Sequence, residues 1–120
     1  MKIWNVYNDF FDKYEKEKKL IRPFIPKDCK HNAHMYYVIL PTEEKRDELI
    51  SYLKENGISA SFHYVPLHTS PVGKKYGYKI GDLPITEEYS SRLIRLPLYA
   101  DMSKDDLDYI LDVLRKKLEV

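Results

Sequence analysis

Four histidines and the chain's single cysteine fall into two clusters, Cys29-Lys30-His31-Asn32-Ala33-His34 and His63-Tyr64-Val65-Pro66-Leu67-His68. Thiolate and imidazole suit a tetrahedral zinc ion if the two segments meet. The spacing matches no zinc pattern, and an extended backbone would send His31 and His34 to opposite faces. No metal site is therefore expected, and these groups are expected to be hydrogen-bonded at strand ends. Hydroxyls stand beside the imidazole in His68-Thr69-Ser70, but neighbours in sequence do not line up as nucleophile and base. No Gly-x-Ser-x-Gly elbow occurs either. Gly73, Gly77 and Gly81 recur every four residues in a polar stretch, outside the strand-to-helix turn that a phosphate cradle requires. Tyr36, Tyr37, Phe62 and Tyr64 could stack on single-stranded bases, but the glycine-aromatic strand motif of such sheets is missing, which makes them core candidates.

The elements that must carry these residues follow from periodicity. Ile3, Tyr7, Phe10, Phe11 and Tyr14 form an apolar stripe with helical spacing. The charge-rich residues 12–19 are expected to prolong that helix until Arg22-Pro23, and 22–33 read as a connection. Residues 34–40 are aromatic and β-branched, a buried strand closed by Pro41. Thr42 then caps a helix whose first turn holds Glu43 and Glu44, and Asn56-Gly57 stops it. A second strand is expected at 58–65, completing a strand-helix-strand unit with a right-handed crossover. The prolines and glycines of 66–85 predict a long irregular loop, and Thr86 a cap for a short helix. A third strand follows at 94–99, its Pro97 marking an edge or a strand end. Ser103 and Asp106 open a last helix striped by Leu107, Ile110, Leu111, Leu114 and Leu118. Three strands and about four helices predict one α+β domain over residues 1–120, a two-layer fold with a short three-stranded sheet packed by helices. So small a sheet has little core of its own, so the first helix must cover either this sheet or another polypeptide.

Length and composition agree with one globular core. The 120 residues are 43% hydrophobic and 13% aromatic, unlike a disordered chain. Twenty Lys and Arg against 19 Asp and Glu leave a net charge of +1, no field for gathering nucleic acid or anionic lipid. One cysteine excludes an intrachain disulfide, and no apolar stretch is long enough to span a bilayer. The expectation is a cytoplasmic protein with neither nucleic-acid nor membrane partner.

Four phrases narrow this reading: His31-Asn32-Ala33-His34-Met35-Tyr36-Tyr37; Arg46-Asp47-Glu48-Leu49; Gly57-Ile58 leading to Phe62-His63-Tyr64-Val65-Pro66-Leu67-His68; and Ser91-Arg92-Leu93-Ile94-Arg95-Leu96-Pro97-Leu98-Tyr99. In this order they resemble the C-terminal part of sugar-nucleotide aminotransferases of the DegT/DnrJ/EryC1/StrS family, from about Trp4 to Leu118.

The resemblance implies the small domain of a fold-type I enzyme that depends on pyridoxal phosphate and works as a homodimer. Such an enzyme moves an amino group, usually from glutamate, to a keto-sugar nucleotide, here a 4-keto-6-deoxyhexose on dTDP. It also implies that the Schiff-base lysine and the acidic partner of the cofactor belong to a large domain that these 120 residues do not contain. Lys74 and Lys75 read as surface charge. No catalytic residue, no bound cofactor and no amino transfer are expected of the chain alone. His63 and Tyr64 are the first candidates for hydrogen bonds to the sugar or diphosphate, followed by His68, then His34 and Tyr36, and Arg95 for pairing with a large-domain carboxylate. Two other readings stay open: a stand-alone module that binds sugar nucleotides without chemistry, and an oligomerisation domain using Trp4 and Phe10 on the first helix.

Overall fold

The structure, a computed structural model, describes residues 2–32, 35–62, 66–99 and 101–119. Helix α1, Lys2–Lys16, buries Trp4, Tyr7, Phe11 and Tyr14 along one stripe. It ends sooner than its charge run suggests. Lys18 takes the left-handed conformation, φ 62°, while the amides of Lys18 and Lys19 donate to the carbonyls of Glu15 and Tyr14 at 2.9 Å, a Schellman closure. The turn brings Ile21 beside Ile39, and the two exchange backbone hydrogen bonds of 2.9 and 3.0 Å.

Strands β1 (Tyr36–Ile39), β2 (Ser61–Phe62) and β3 (Leu93–Leu96) form a sheet in the order β1-β3-β2. β3 is antiparallel to both neighbours, pairing Tyr36 with Leu96, Val38 with Ile94 and Ser61 with Arg95. The expected strand-helix-strand unit exists as β1, α2 and β2, but its strands do not touch because β3 inserts between them. β3 is therefore central, and Pro97 follows its last residue, a strand end and not an edge. Helix α2, Glu43–Glu55, opens at Thr42, whose hydroxyl accepts from the Lys45 amide at 3.1 Å, and closes at Asn56-Gly57 with Gly57 at φ 78°.

The stretch expected as an irregular loop is mostly helical. A 3₁₀ turn, Leu67–Thr69, leads into α3, Pro71–Lys75. Ser70 joins them: its hydroxyl donates to the Leu67 carbonyl at 2.6 Å and accepts from the Gly73 amide at 3.1 Å, with proline in the first turn. Helix α4, Pro84–Arg92, starts two residues before the expected cap Thr86. Helix α5, Lys104–Leu118, opens at Ser103, which accepts from the Asp106 amide at 3.0 Å.

Tyr36, Val38, Ile94 and Leu96 share one core with the buried stripes of α1, α2 and α5. Tyr36 is its centre: the rings of Tyr7 and Phe11 stack near it at 5.3 and 5.8 Å, and Trp4 meets it edge-on at 5.2 Å. The first helix thus covers this chain's own sheet. Trp4 is buried there, and Phe10 packs only partly against the same core. The architecture is the expected two-layer α+β fold. Among the described residues no helix is long and apolar enough to cross a membrane.

Candidate functional site

His34, His63 and Tyr64 lie outside the described residues. The structure does place their neighbours. On the first cluster's side, the His31 ring lies 4.4 Å from the Trp4 ring, and the Trp4 indole donates to the Met35 carbonyl at 3.2 Å. These contacts fasten the connection on both sides of His34 to α1. Cys29 is exposed, and among the described residues no three His, Cys, Asp or Glu side chains gather as metal ligands.

Tyr36 is fully buried, and its hydroxyl donates to the Asn8 side-chain oxygen at 3.0 Å. That phenol serves the core. His68, on the 3₁₀ turn, is only 5% exposed. Its Nε2 lies 3.1 Å from Oε2 of Glu87 on α4, a close approach without the alignment of a hydrogen bond, which is an ion pair only when the imidazole is protonated. The hydroxyls beside it are otherwise engaged: Thr69 donates to the Pro66 carbonyl at 3.1 Å and Ser70 to that of Leu67. Neither makes a nucleophile-base pair with His68. Gly73 lets α3 lie against this turn, since a Cβ there would overlap the Leu67 carbonyl oxygen and stand 2.8 Å from the His68 backbone.

Glu87 is the residue that the sequence reading did not single out. Both of its oxygens lie 2.9 Å from the Gly81 amide, and Oε2 also accepts from the Leu83 amide at 3.3 Å. The Gly81 amide first, then His68, holds this carboxyl below the usual range. The available signal was Gly81-x-x-Pro84-x-x-Glu87: a turn glycine, a helix-starting proline, and a carboxylate one turn on that can reach back.

The excursion around this anchor exposes large apolar side chains among charged ones such as Lys74, Lys75, Lys79 and Asp82. Leu67 is 86% exposed, Tyr76 79% and Ile80 70%, with Val72 and Ile85 exposed among them. So many exposed apolar side chains on one excursion of a small domain make it the candidate interaction surface. Arg46, buried in α2, ties α2 to this region by donating to the Ser90 carbonyl at 3.1 Å while pairing with Asp47 at 3.0 Å. Arg95 is half-buried on β3, and none of the chain's lysines is buried.

The fold is that of solved aminotransferases. A DegT/DnrJ/EryC1/StrS aminotransferase from Brucella abortus superposes with a TM-score of 0.78 at 27% identity, over 99% of this chain and 30% of that one. Residues 1–115 match the DegT/DnrJ/EryC1/StrS aminotransferase family, and the chain belongs to that family. It is 40% identical over 103 residues to the spore coat polysaccharide biosynthesis protein SpsC of Bacillus subtilis, covering 80% of this chain and 26% of SpsC. It is 31% identical over 87 residues to a dTDP-3-amino-3,4,6-trideoxy-alpha-D-glucose transaminase of Micromonospora megalomicea, covering 71% of this chain and 23% of the enzyme. The chain thus spans less than a third of the length of each.

Proposed function

We propose that this chain acts as the C-terminal small domain of a sugar-nucleotide aminotransferase. In concert with a cofactor-binding large domain, it serves transfer of an amino group from glutamate to a dTDP-4-keto-6-deoxyhexose, in a homodimer. The observation that carries this reading is the excursion 67–85, where exposed large apolar side chains are concentrated, in a chain less than a third as long as its relatives. We assign that face to the large domain.

When bound, pyridoxal phosphate would supply the electron sink for amino transfer, held through a lysine. This chain does not fit that task, because an imine lysine needs an enclosed site and every lysine here is at the surface, Lys74 and Lys75 on α3 included. The cofactor therefore belongs to the large domain. Within the small domain, His63 and Tyr64, with His34, are assigned to the sugar nucleotide. His68 is buried beside Glu87, and Tyr36 is buried in the core with its hydroxyl on Asn8.

The test is co-expression of this chain with the cofactor-binding portion of a relative such as the Micromonospora transaminase. A stoichiometric complex with amino transfer to a keto-sugar nucleotide is expected. Leu67→Asp with Ile80→Asp is expected to weaken association at least tenfold while leaving the fold intact. Absence of any complex, or association indifferent to the double substitution, would contradict the assignment. A stand-alone binding module would instead hold a dTDP-hexose by itself at millimolar concentration.

A further inference from the structure

Glu87 is where three separate parts of the 66–92 region meet. Its carboxylate faces His68 from the 3₁₀ turn, the Gly81 amide from the turn after α3, and the Leu83 amide at the entry to α4. The path between them is bent: Gly77 and Gly81 have φ of 95° and 99°, and Asp82 accepts from the Lys79 amide at 2.8 Å to close the intervening turn. Without a common acceptor these pieces would have little to hold them, since the side chains between them point to solvent.

We propose that Glu87 is a positioning residue: its carboxylate locks His68, Gly81 and Leu83 together and so sets the shape of the apolar face 67–85. The functional half of this inference rests on the docking assignment above; the lock itself does not. Simple complementing of the α4 dipole would not account for the arrangement. Glu88, one residue on, is solvated and faces Arg92 at 3.7 Å, whereas Glu87 turns back to a buried imidazole and two amides. The other charged groups of the neighbourhood have their own engagements: Arg92 with Glu88, Arg46 on α2 with Asp47 and the Ser90 carbonyl, and Asp82 with the Lys79 amide. A carboxylate that accepts from two amides is costly to leave unpaired, and removing it would also take the carboxylate from beside the buried imidazole.

Amide exchange by NMR on the chain itself tests the lock. In Glu87→Ala the Gly81 and Leu83 amides are expected to exchange about tenfold faster, with β3 and α5 amides unchanged and Glu88→Gln without effect. A second measurement needs no substitution: on acidifying the wild-type chain, the Gly81 and Leu83 amide shifts are expected to move together, with one midpoint below the ordinary glutamate value. Unchanged exchange in Glu87→Ala, or, should that variant fail to fold, wild-type amides that do not titrate together, would overturn the lock. Association with the cofactor-binding domain separates the two claims. Weakened association of Glu87→Ala supports the functional half, and a broken lock with undiminished association overturns that half while sparing the docking assignment. An intact lock in a wild-type chain that associates with nothing counts against the docking assignment alone.

Discussion

Tyr7 and Tyr36 hold their phenols where ionisation is opposed, Tyr7 donating to the Pro97 carbonyl at 2.6 Å and Tyr36 to Asn8. Burial, aided at Tyr7 by the neighbouring Tyr99, pushes both well above the ordinary tyrosine value. A raised folded value means the contribution to stability is whole below the unfolded value of about 10 and is lost as pH rises beyond it. Phenolate absorbance should therefore titrate for the exposed tyrosines first, with these two ionising only as the chain unfolds; normal ionisation of every tyrosine in a folded chain would refute this. Tyr36→Phe is expected to cost about 1 kcal/mol in urea denaturation, the net worth of one hydrogen bond. Carboxylates behave oppositely. Lys13 first, then Tyr14, both at 3.0 Å, hold Glu119 below its usual range, as the Gly81 amide and His68 hold Glu87. Their contributions are whole above the unfolded value of about 4.3 and fade as pH falls through the depressed folded values. Glu119→Gln should flatten the acid limb of a stability-against-pH curve. The sequence showed His68 as a polar group needing a partner, but not which one: Glu87 lies 19 positions away and is delivered by the fold of an excursion that reads locally as loop.

At the scale of elements, two backbone positions make opposite predictions. Lys18 occupies the left-handed site where glycine is the unstrained residue, so Lys18→Gly should stabilise the chain by about 1 kcal/mol, seen as a higher urea midpoint. Gly73→Ala should cost about 1–3 kcal/mol of local stability, because the added methyl meets backbone that cannot step aside. It should appear as proteolysis within 66–83 while the core remains folded. Helices α2 and α5 were legible to their caps, since Thr42, Asn56-Gly57 and Ser103 are local signals that the tertiary structure leaves unopposed. The early end of α1 was hidden because lysine gives no sign of a left-handed turn. The 66–85 stretch hid its helices for another reason: Ser70-Pro71 and Pro84 are helix starters, but prolines and glycines at that density read first as breakers.

For the whole molecule, the strand order was the part that local patterns could not reveal. Nothing within 34–40 or 58–65 says that β3, thirty residues further on, will lie between them; that is fixed by the register of Tyr36 with Leu96 and by the aromatic cover from α1. The family phrases, in contrast, were plain, and the match over residues 1–115 bears them out. On the function proposed, this chain is one part of a two-part enzyme and gives shape and substrate contacts, while the large domain holds the cofactor. Borohydride reduction of the purified chain with pyridoxal phosphate, followed by mass-spectrometric mapping, tests this most directly. Weak labelling scattered over surface lysines is the predicted result, and a stoichiometric adduct on one lysine would contradict it.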